Sequence, residues 1–244
     1  MSPPADGAAF VPTERSRVRR RPQRASYDEA VVYGLLDAGV LAHVGYVIDG
    51  QSFVTPTAYW RDGRKLYWHG AAASRMLATV AEGAPVCVTV SFLDGLIVGR
   101  SGIIHSMNYR SVMAFGRARL IPGLADKRAA MEAFIDRLYA GRSATLRPMA
   151  DEELMRIALV EMEIEEASAK IKDVGVTDMP ADADWPAWCG VLPVETRIGA
   201  PRAEPGMGLD GDPTPDLAAF AEGARLDEAL KRAASPAYRS PQTS

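Results

Sequence analysis

From residue 40 to residue 121, short apolar and β-branched runs are broken by turn residues. Residues 40–48 predict a strand, Asp49-Gly50 a hairpin turn, and residues 53–60 the returning strand. Arg61-Asp62-Gly63 turns the chain again, into a strand over residues 65–69. Residues 85–92 are rich in β-branched side chains and read as a strand. Asp94-Gly95 then predicts a turn into a further strand over residues 96–105, with another at residues 111–121. Residues 159–172 alternate through Val160, Met162, Ile164, Ala167 and Ile171, which predicts one long strand. Repeated Asp-Gly hairpins between short strands argue for an antiparallel sheet closed into a small barrel, not a parallel βαβ sheet.

Elsewhere the period becomes helical. Ser26-Tyr27-Asp28-Glu29 is a capping box, opening a helix that carries Val31, Val32, Leu35 and Leu36 and stops at Gly39. Ser74 is the N-cap of a helix over residues 75–82, with Gly83 where a left-handed terminator belongs. Residues 125–139 form a helix stopped by Gly141, and residues 151–157 a further turn or two. The aromatic, proline-rich residues 185–193 predict a docked loop or surface strap. After Gly199 the composition shifts to Pro, Gly, Ala and Asp. A helix over residues 216–233, with Thr214 as cap and Pro215 first, has only a thin apolar stripe (Leu217, Phe220, Leu226, Leu230) and is expected to be marginal. Three regions follow: a basic arm (1–25), a barrel domain (26–195) and an extension (196–244).

Composition narrows the function. The 244 residues are 48 % hydrophobic and 24 % charged with a formal net charge of −3, which argues against a general nucleic-acid binder. Cys87 and Cys189 are the only cysteines, so neither a disulfide scaffold nor a thiolate zinc site is expected, and a reducing cytoplasm fits. His43, His69 and His105 are too far apart for a local metal motif, and His43, on an apolar strand, reads as a core histidine. No uninterrupted apolar run reaches about eighteen residues, so no membrane-spanning helix is expected. The arm holds Arg15, Arg17, Arg19, Arg20, Arg21 and Arg24. It is either solvated or folded over an anionic ligand or a neighbouring subunit. Acidic residues follow it in place of an apolar segment, which argues against an export signal.

Two stretches carry candidate chemistry. In Tyr-Trp-His-Gly-Ala-Ala-Ala-Ser-Arg (67–75), a strand ends in small residues and a helix begins. Free amide groups, the Ser74 hydroxyl and the Arg75 fork of donors suit a phosphate there. Residues 100–119 mix strand-like apolar residues with Arg100, Ser101, His105, Ser106, Asn108, Tyr109, Arg110 and Ser111, which need partners from the protein or a ligand.

These stretches, with Asp-Gly-Gln-Ser-Phe-Val-Thr-Pro-Thr-Ala-Tyr-Trp (49–60), Pro-Val-Cys-Val-Thr-Val (85–90) and His-Ser-Met-Asn-Tyr-Arg-Ser-Val-Met-Ala-Phe-Gly-Arg-Ala (105–118), occur in an order that resembles the pyridoxamine 5′-phosphate oxidase-like, FMN-binding split-barrel family. The nearest look is to its branch of nitroimidazole-resistance (Nim-type) and flavin-nucleotide-binding proteins, over residues 15–192. The resemblance implies a mainly β, α+β fold: a six-stranded antiparallel split barrel of Greek-key type with peripheral helices, forming a homodimer with shared FMN sites. Val54, Thr55 and Pro56 would lie along the flavin ring, His69 and Gly70 near the ribityl chain, and Ser74 and Arg75 at the phosphate. Tyr109, Arg110 and Ser111 would come from the partner subunit. The implied activity is an FMN-dependent oxidoreductase, passing electrons from a nicotinamide nucleotide to a small flat acceptor such as a nitroaromatic, with His69 near the reacting centre. A non-enzymatic flavin carrier or sensor, and a haem- or deazaflavin-binding barrel, are the alternatives. Two departures from the family stand out. Met76 replaces the usual lysine after Ser74-Arg75, and Gly190 to Arg197 lacks the ending that holds pyridoxal phosphate in the vitamin B6 oxidases.

Overall fold

A computed structural model describes residues 8–206 and 215–234. In chain order the strands and α-helices are β1 (Ala25–Ser26), α1 (Glu29–Asp37), β2 (Leu41–Ile48), β3 (Gln51–Asp62), β4 (Lys65–Ala71), α2 (Arg75–Val80), β5 (Glu82–Val98), β6 (Ser106–Leu120), α3 (Leu124–Leu138), α4 (Asp151–Met155), β7 (Ile157–Glu163), β8 (Glu166–Lys172), β9 (Gly190–Pro193) and α5 (Leu226–Ala234). All strand pairings are antiparallel, and β6, β7, β4, β3, β2 and β5 close a six-membered ring because β5 also pairs with β6. This is the split barrel. Val44, Leu66, Trp68, Val88, Val112, Val160 and Met162 fill its interior with almost no exposure, while α1 and α2 cover it with Val32, Leu36, Leu77 and Val80. Each such side chain contributes about 1.5–3 kcal/mol of burial. Among the described residues no helix is long and apolar enough to cross a membrane.

The sheet bends sharply between β7 and β8. The predicted strand over residues 159–172 is two strands, because Ala118 faces Met162 while Phe115 faces Glu166, leaving an extra residue on the β7–β8 side. This bulge turns β7 towards β4 and leaves β8 beside β6, with β1 at its far edge. Gly116 sits opposite. A Cβ there would lie 2.1 Å from the Glu163 carbonyl oxygen, so no larger residue fits without moving backbone.

Several sequence expectations are corrected. Asp94-Gly95 is not a turn: β5 runs through it with an irregularity between Leu93 and Gly95, and residues 99–105 make the reversal. The Asp94 carboxylate grips Arg110 instead of closing a hairpin, and β9 passes over Gly95, where a Cβ would lie 3.1 Å from Val191. Asp28, not Ser26, caps α1, its carboxylate accepting from the Val31 N–H at 3.0 Å, while Ser26 pairs in β1. The arm is folded onto its own barrel: Phe10 is buried, and Arg15 bridges to Glu165 and Glu166 above the Phe115 ring. Part of the aromatic strap forms β9 along β5.

In the extension, the helix expected over residues 216–233 is a 3-10 segment (Pro215–Phe220) and α5, separated at Gly223 with φ 80°. Thr214 lies outside the described residues. The extension is better packed than its stripe predicted, because alanines complete the apolar face: Leu230 is 2 % exposed and Ala233 0 %. Arg137 of α3 donates to the Leu230 carbonyl at 3.1 Å.

Gly116→Ala is expected to cost about 1–3 kcal/mol by overpacking. Gly102→Ala, with nothing within 4 Å of its Cβ, should be silent. Thermal denaturation checks both, and an unchanged Tm for Gly116→Ala would mean the bulge is not tightly constrained.

Candidate functional site

β3 and β4 begin as a hairpin and then separate. Their pairing runs from Asp62–Lys65 to Tyr59–Trp68 and stops. Beyond it His69, Gly70 and Ala71 pair with β7, while residues 51–58 pair only with β2. The Tyr59 N–H donates to the Val40 carbonyl, which fixes the phase of the ladder. Odd-numbered residues of β3 bond β2. The main-chain groups of Ser52, Val54 and Ala58, and the Pro56 carbonyl, therefore point to the open edge. Pro56 has no N–H to waste there. Val54 is 65 % exposed, and the Thr55 hydroxyl lies 3.1 Å from that of Tyr46.

α2 closes one end of this fork. Ser74 caps it, its hydroxyl 3.5 Å from the Leu77 N–H. With six residues α2 has little dipole, so the anion-attracting group is Arg75 itself. The Arg75 guanidinium lies 4.6 Å above the Phe53 ring of β3 and makes no ion pair among the described residues, leaving its donors available. A Cβ on Gly70 would meet Leu77 at 3.2 Å, which keeps β4 close to α2.

His69 stands where the two strands part, packed against Trp60 and edge-on to Phe134 of α3 at 5.5 Å between centroids. Its Nδ1 and the neighbouring Trp68 Nε1 are buried without a partner. Such orphans are costly. Burial lowers the His69 pKa, so the imidazole is neutral at pH 7.

Seven of the residues predicted from sequence (Val54, Thr55, Pro56, His69, Gly70, Ser74, Arg75) thus gather around one fork. Tyr109, Arg110 and Ser111 do not join them within a chain, because β2 and β5 intervene between β3 and β6. Arg110 is committed to Asp94 and Asp227 and lies over Phe92. Partial burial pushes Asp227 up, but Arg225 and Arg110 outweigh it and hold the carboxyl at about 2. Ser111 donates to the Lys170 carbonyl at 3.3 Å. His43 is exposed on the outer face of β2, not in the core, and rims a cavity of about 300 Å³ between Val90, Phe92, Leu226 and Leu230. Sequence reasoning missed Phe53 and Phe134; their positions under Arg75 and beside His69 follow from strand register and helix docking, which no local pattern reveals.

The depressed His69 pKa has a definite sign. Below about pH 6.5 the unfolded chain takes up a proton at His69 that the folded chain resists, so this group's contribution to stability falls with pH until the folded pKa is passed. His69→Gln should therefore lose less Tm than the wild type between about pH 7.5 and about pH 5.5. Equal losses would assign the acid sensitivity to another group.

The family described as pyridoxamine 5′-phosphate oxidase matches residues 28–171. The flavocytochrome Anf3 from Azotobacter vinelandii is 37 % identical, over 88 % of this chain and 100 % of that one, with a TM-score of 0.80. The FAD and heme binding protein from Mycobacterium smegmatis is 32 % identical, over 83 % and 98 %, with a TM-score of 0.77. A putative 5-nitroimidazole antibiotic resistance protein from Bacteroides thetaiotaomicron is 19 % identical, over 60 % and 86 %, with a TM-score of 0.48. No curated protein matches the sequence. The matched profile covers more than half of the chain, and on that ground the chain belongs to the pyridoxamine 5′-phosphate oxidase-like split-barrel family.

Proposed function

We propose that this chain is a flavin-binding redox protein that also carries haem, and that it works as a homodimer. The observation that carries the reading is its likeness, over more than four-fifths of its length, to a flavocytochrome and to a protein named for FAD and haem. The fork fits a flavin. An unpaired strand edge offers main-chain donors and acceptors to the ring's heteroatoms, and Arg75 offers an unspent guanidinium to a phosphate. Val54, Thr55 and Pro56 would hold the ring, His69 and Gly70 the ribityl side, and Ser74 and Arg75 the phosphate. When bound, the flavin supplies the electron-transfer chemistry, and the protein supplies binding, orientation and electrostatics.

The phosphate role of Arg75 serves FMN and FAD alike. The FAD of the second relative favours FAD over the FMN expected from sequence. His69 is the residue we place at the reacting centre: a neutral recessed imidazole can exchange a proton, and imidazole is also a common ligand for haem iron. His105, by contrast, is exposed with its Nδ1 3.0 Å from the Ser101 carbonyl. A nicotinamide nucleotide as donor and a small flat acceptor complete the reading, with the sequence resemblance alone in support.

The homodimer rests on the outer face of β3, β2, β5 and β6, where register aligns Pro56, His43, Thr89 and Met113 in one row. Leu41, Val47, Val54 and Met113 are exposed on it, an apolar surface of the kind that marks an interface. Tyr109 and Ser111 share that face with Met113 and so could reach a partner's fork.

The purified protein should show flavin absorption and a Soret band, and mass identification of the extracted cofactors should return a flavin nucleotide and haem. Absence of flavin would overturn the reading. Arg75→Ala should weaken flavin binding by about 1.5–3 kcal/mol, read by fluorescence titration. Dilution to monomer should release the flavin; a monomer that keeps it would show that each site is complete in one chain.

A further inference from the structure

On the side of the ring away from the fork, Lys172 ends β8 with 8 % of its surface exposed. Its Nζ donates to the Ser106 Oγ at 2.6 Å, and among the described residues the other two ammonium donors have no protein partner. No carboxylate pairs with it among the described residues. The charges that act on it are instead those of Arg24 and Arg21, from the 3-10 turn (Pro22–Arg24) that leads into β1 at the same edge. Neither arginine makes an ion pair among the described residues either, although the arm spends Arg15 on Glu165 and Glu166 and Arg19 on Glu14. Arg21 holds this position in the left-handed region, φ 57°, where a non-glycine residue costs roughly 1–2 kcal/mol.

Buried charges in proteins are ordinarily paired. Here a covered ammonium bonds one hydroxyl and shares the β8–β1 edge with Arg24 and Arg21, and none of the three makes an ion pair among the described residues.

We propose that Lys172, Arg24, Arg21 and the Ser106 hydroxyl bind a phosphate-type oxyanion at the β8–β1 edge. Three cations suit a multiply charged group, and the Ser106 O–H, already accepting from Lys172, is free to donate to an anionic oxygen. Desolvation, then Arg24 and Arg21, lower the Lys172 pKa, as expected of an ammonium awaiting a counter-charge. The site is separate from Arg75 within a chain, since β2, β5 and β6 lie between β3 and β8. By register Lys172 lies opposite Tyr109, so the site adjoins the face assigned to the dimer, and the pyrophosphate titration, which needs no flavin, tests it separately from the flavin reading. The anion's source is either free phosphate or pyrophosphate, or the phosphate of a bound nucleotide.

The test is calorimetric titration of the full-length protein with inorganic pyrophosphate at constant ionic strength. Saturable binding is expected, weakened at least tenfold by Lys172→Met and by Arg24→Gln and less than twofold by Arg147→Gln, an exposed arginine already paired with Glu153. Arg24→Gln and Arg21→Gln, at less buried positions, keep the test open if Lys172→Met does not fold. No saturable binding, binding unchanged in these variants, or binding lost only in Arg75→Ala would overturn the proposal. FAD and FMN titrations separate the sources. A loss of FAD affinity alone in the Lys172 and Arg24 variants assigns the anion to the dinucleotide, and unchanged affinity for both, alongside lost pyrophosphate binding, assigns it to free phosphate.

Discussion

Six antiparallel strands can close a ring only if at least one bends, and in this protein a bend lies at the bulge opposite Gly116. By turning β7 onto β4, the bulge gives residues 65–71 a partner along one edge, while β3 leaves the other edge beyond the Tyr59–Trp68 pair. The open edge of β3 and the position of His69 at the parting follow from that divergence. The site is thus a by-product of closure. It needs no specialised loop, only a strand whose neighbour has left it.

Much of this was legible in the sequence, for reasons that can be named. Asp49-Gly50 lies between two predicted strands, and its residues adopt φ values of 50° and 80°, as a tight hairpin requires. Ser74 and the strand before it announced the β4–α2 corner. Asp94-Gly95 misled because the same dipeptide also suits an irregularity within a strand; the deciding factor was Arg110, on the neighbouring strand, which takes the Asp94 carboxylate. The break at residues 164–165 left a signal that the prediction of one long strand passed over: the apolar positions slip from even (Val160, Met162, Ile164) to odd (Ala167, Ala169, Ile171) across it, and Gly116, far away in sequence, makes room for it. Arg110 and Ser111, read from the sequence as ligand groups, turned out to have partners in their own chain.

Those partners show how the extension is held. Asp227, just inside α5, reaches Arg110 across 117 positions of sequence, and Arg225 braces it from the same segment. Arg137 bonds main-chain carbonyls of both α1 and α5. Partly covered ion pairs of this kind add modest energy, but they fix where α5 sits and thereby roof the cavity rimmed by His43.

An open strand edge carries a hazard as well as an opportunity. Unpaired main-chain groups invite a strand from another molecule, and sheets that grow this way end as aggregates. Pro56 lies within the exposed run and supplies no N–H, so a foreign strand would find its ladder interrupted between Val54 and Ala58. Whatever molecule normally rests along β3 would therefore act as a guard on solubility too, and chains lacking it would be the ones most prone to stick to one another.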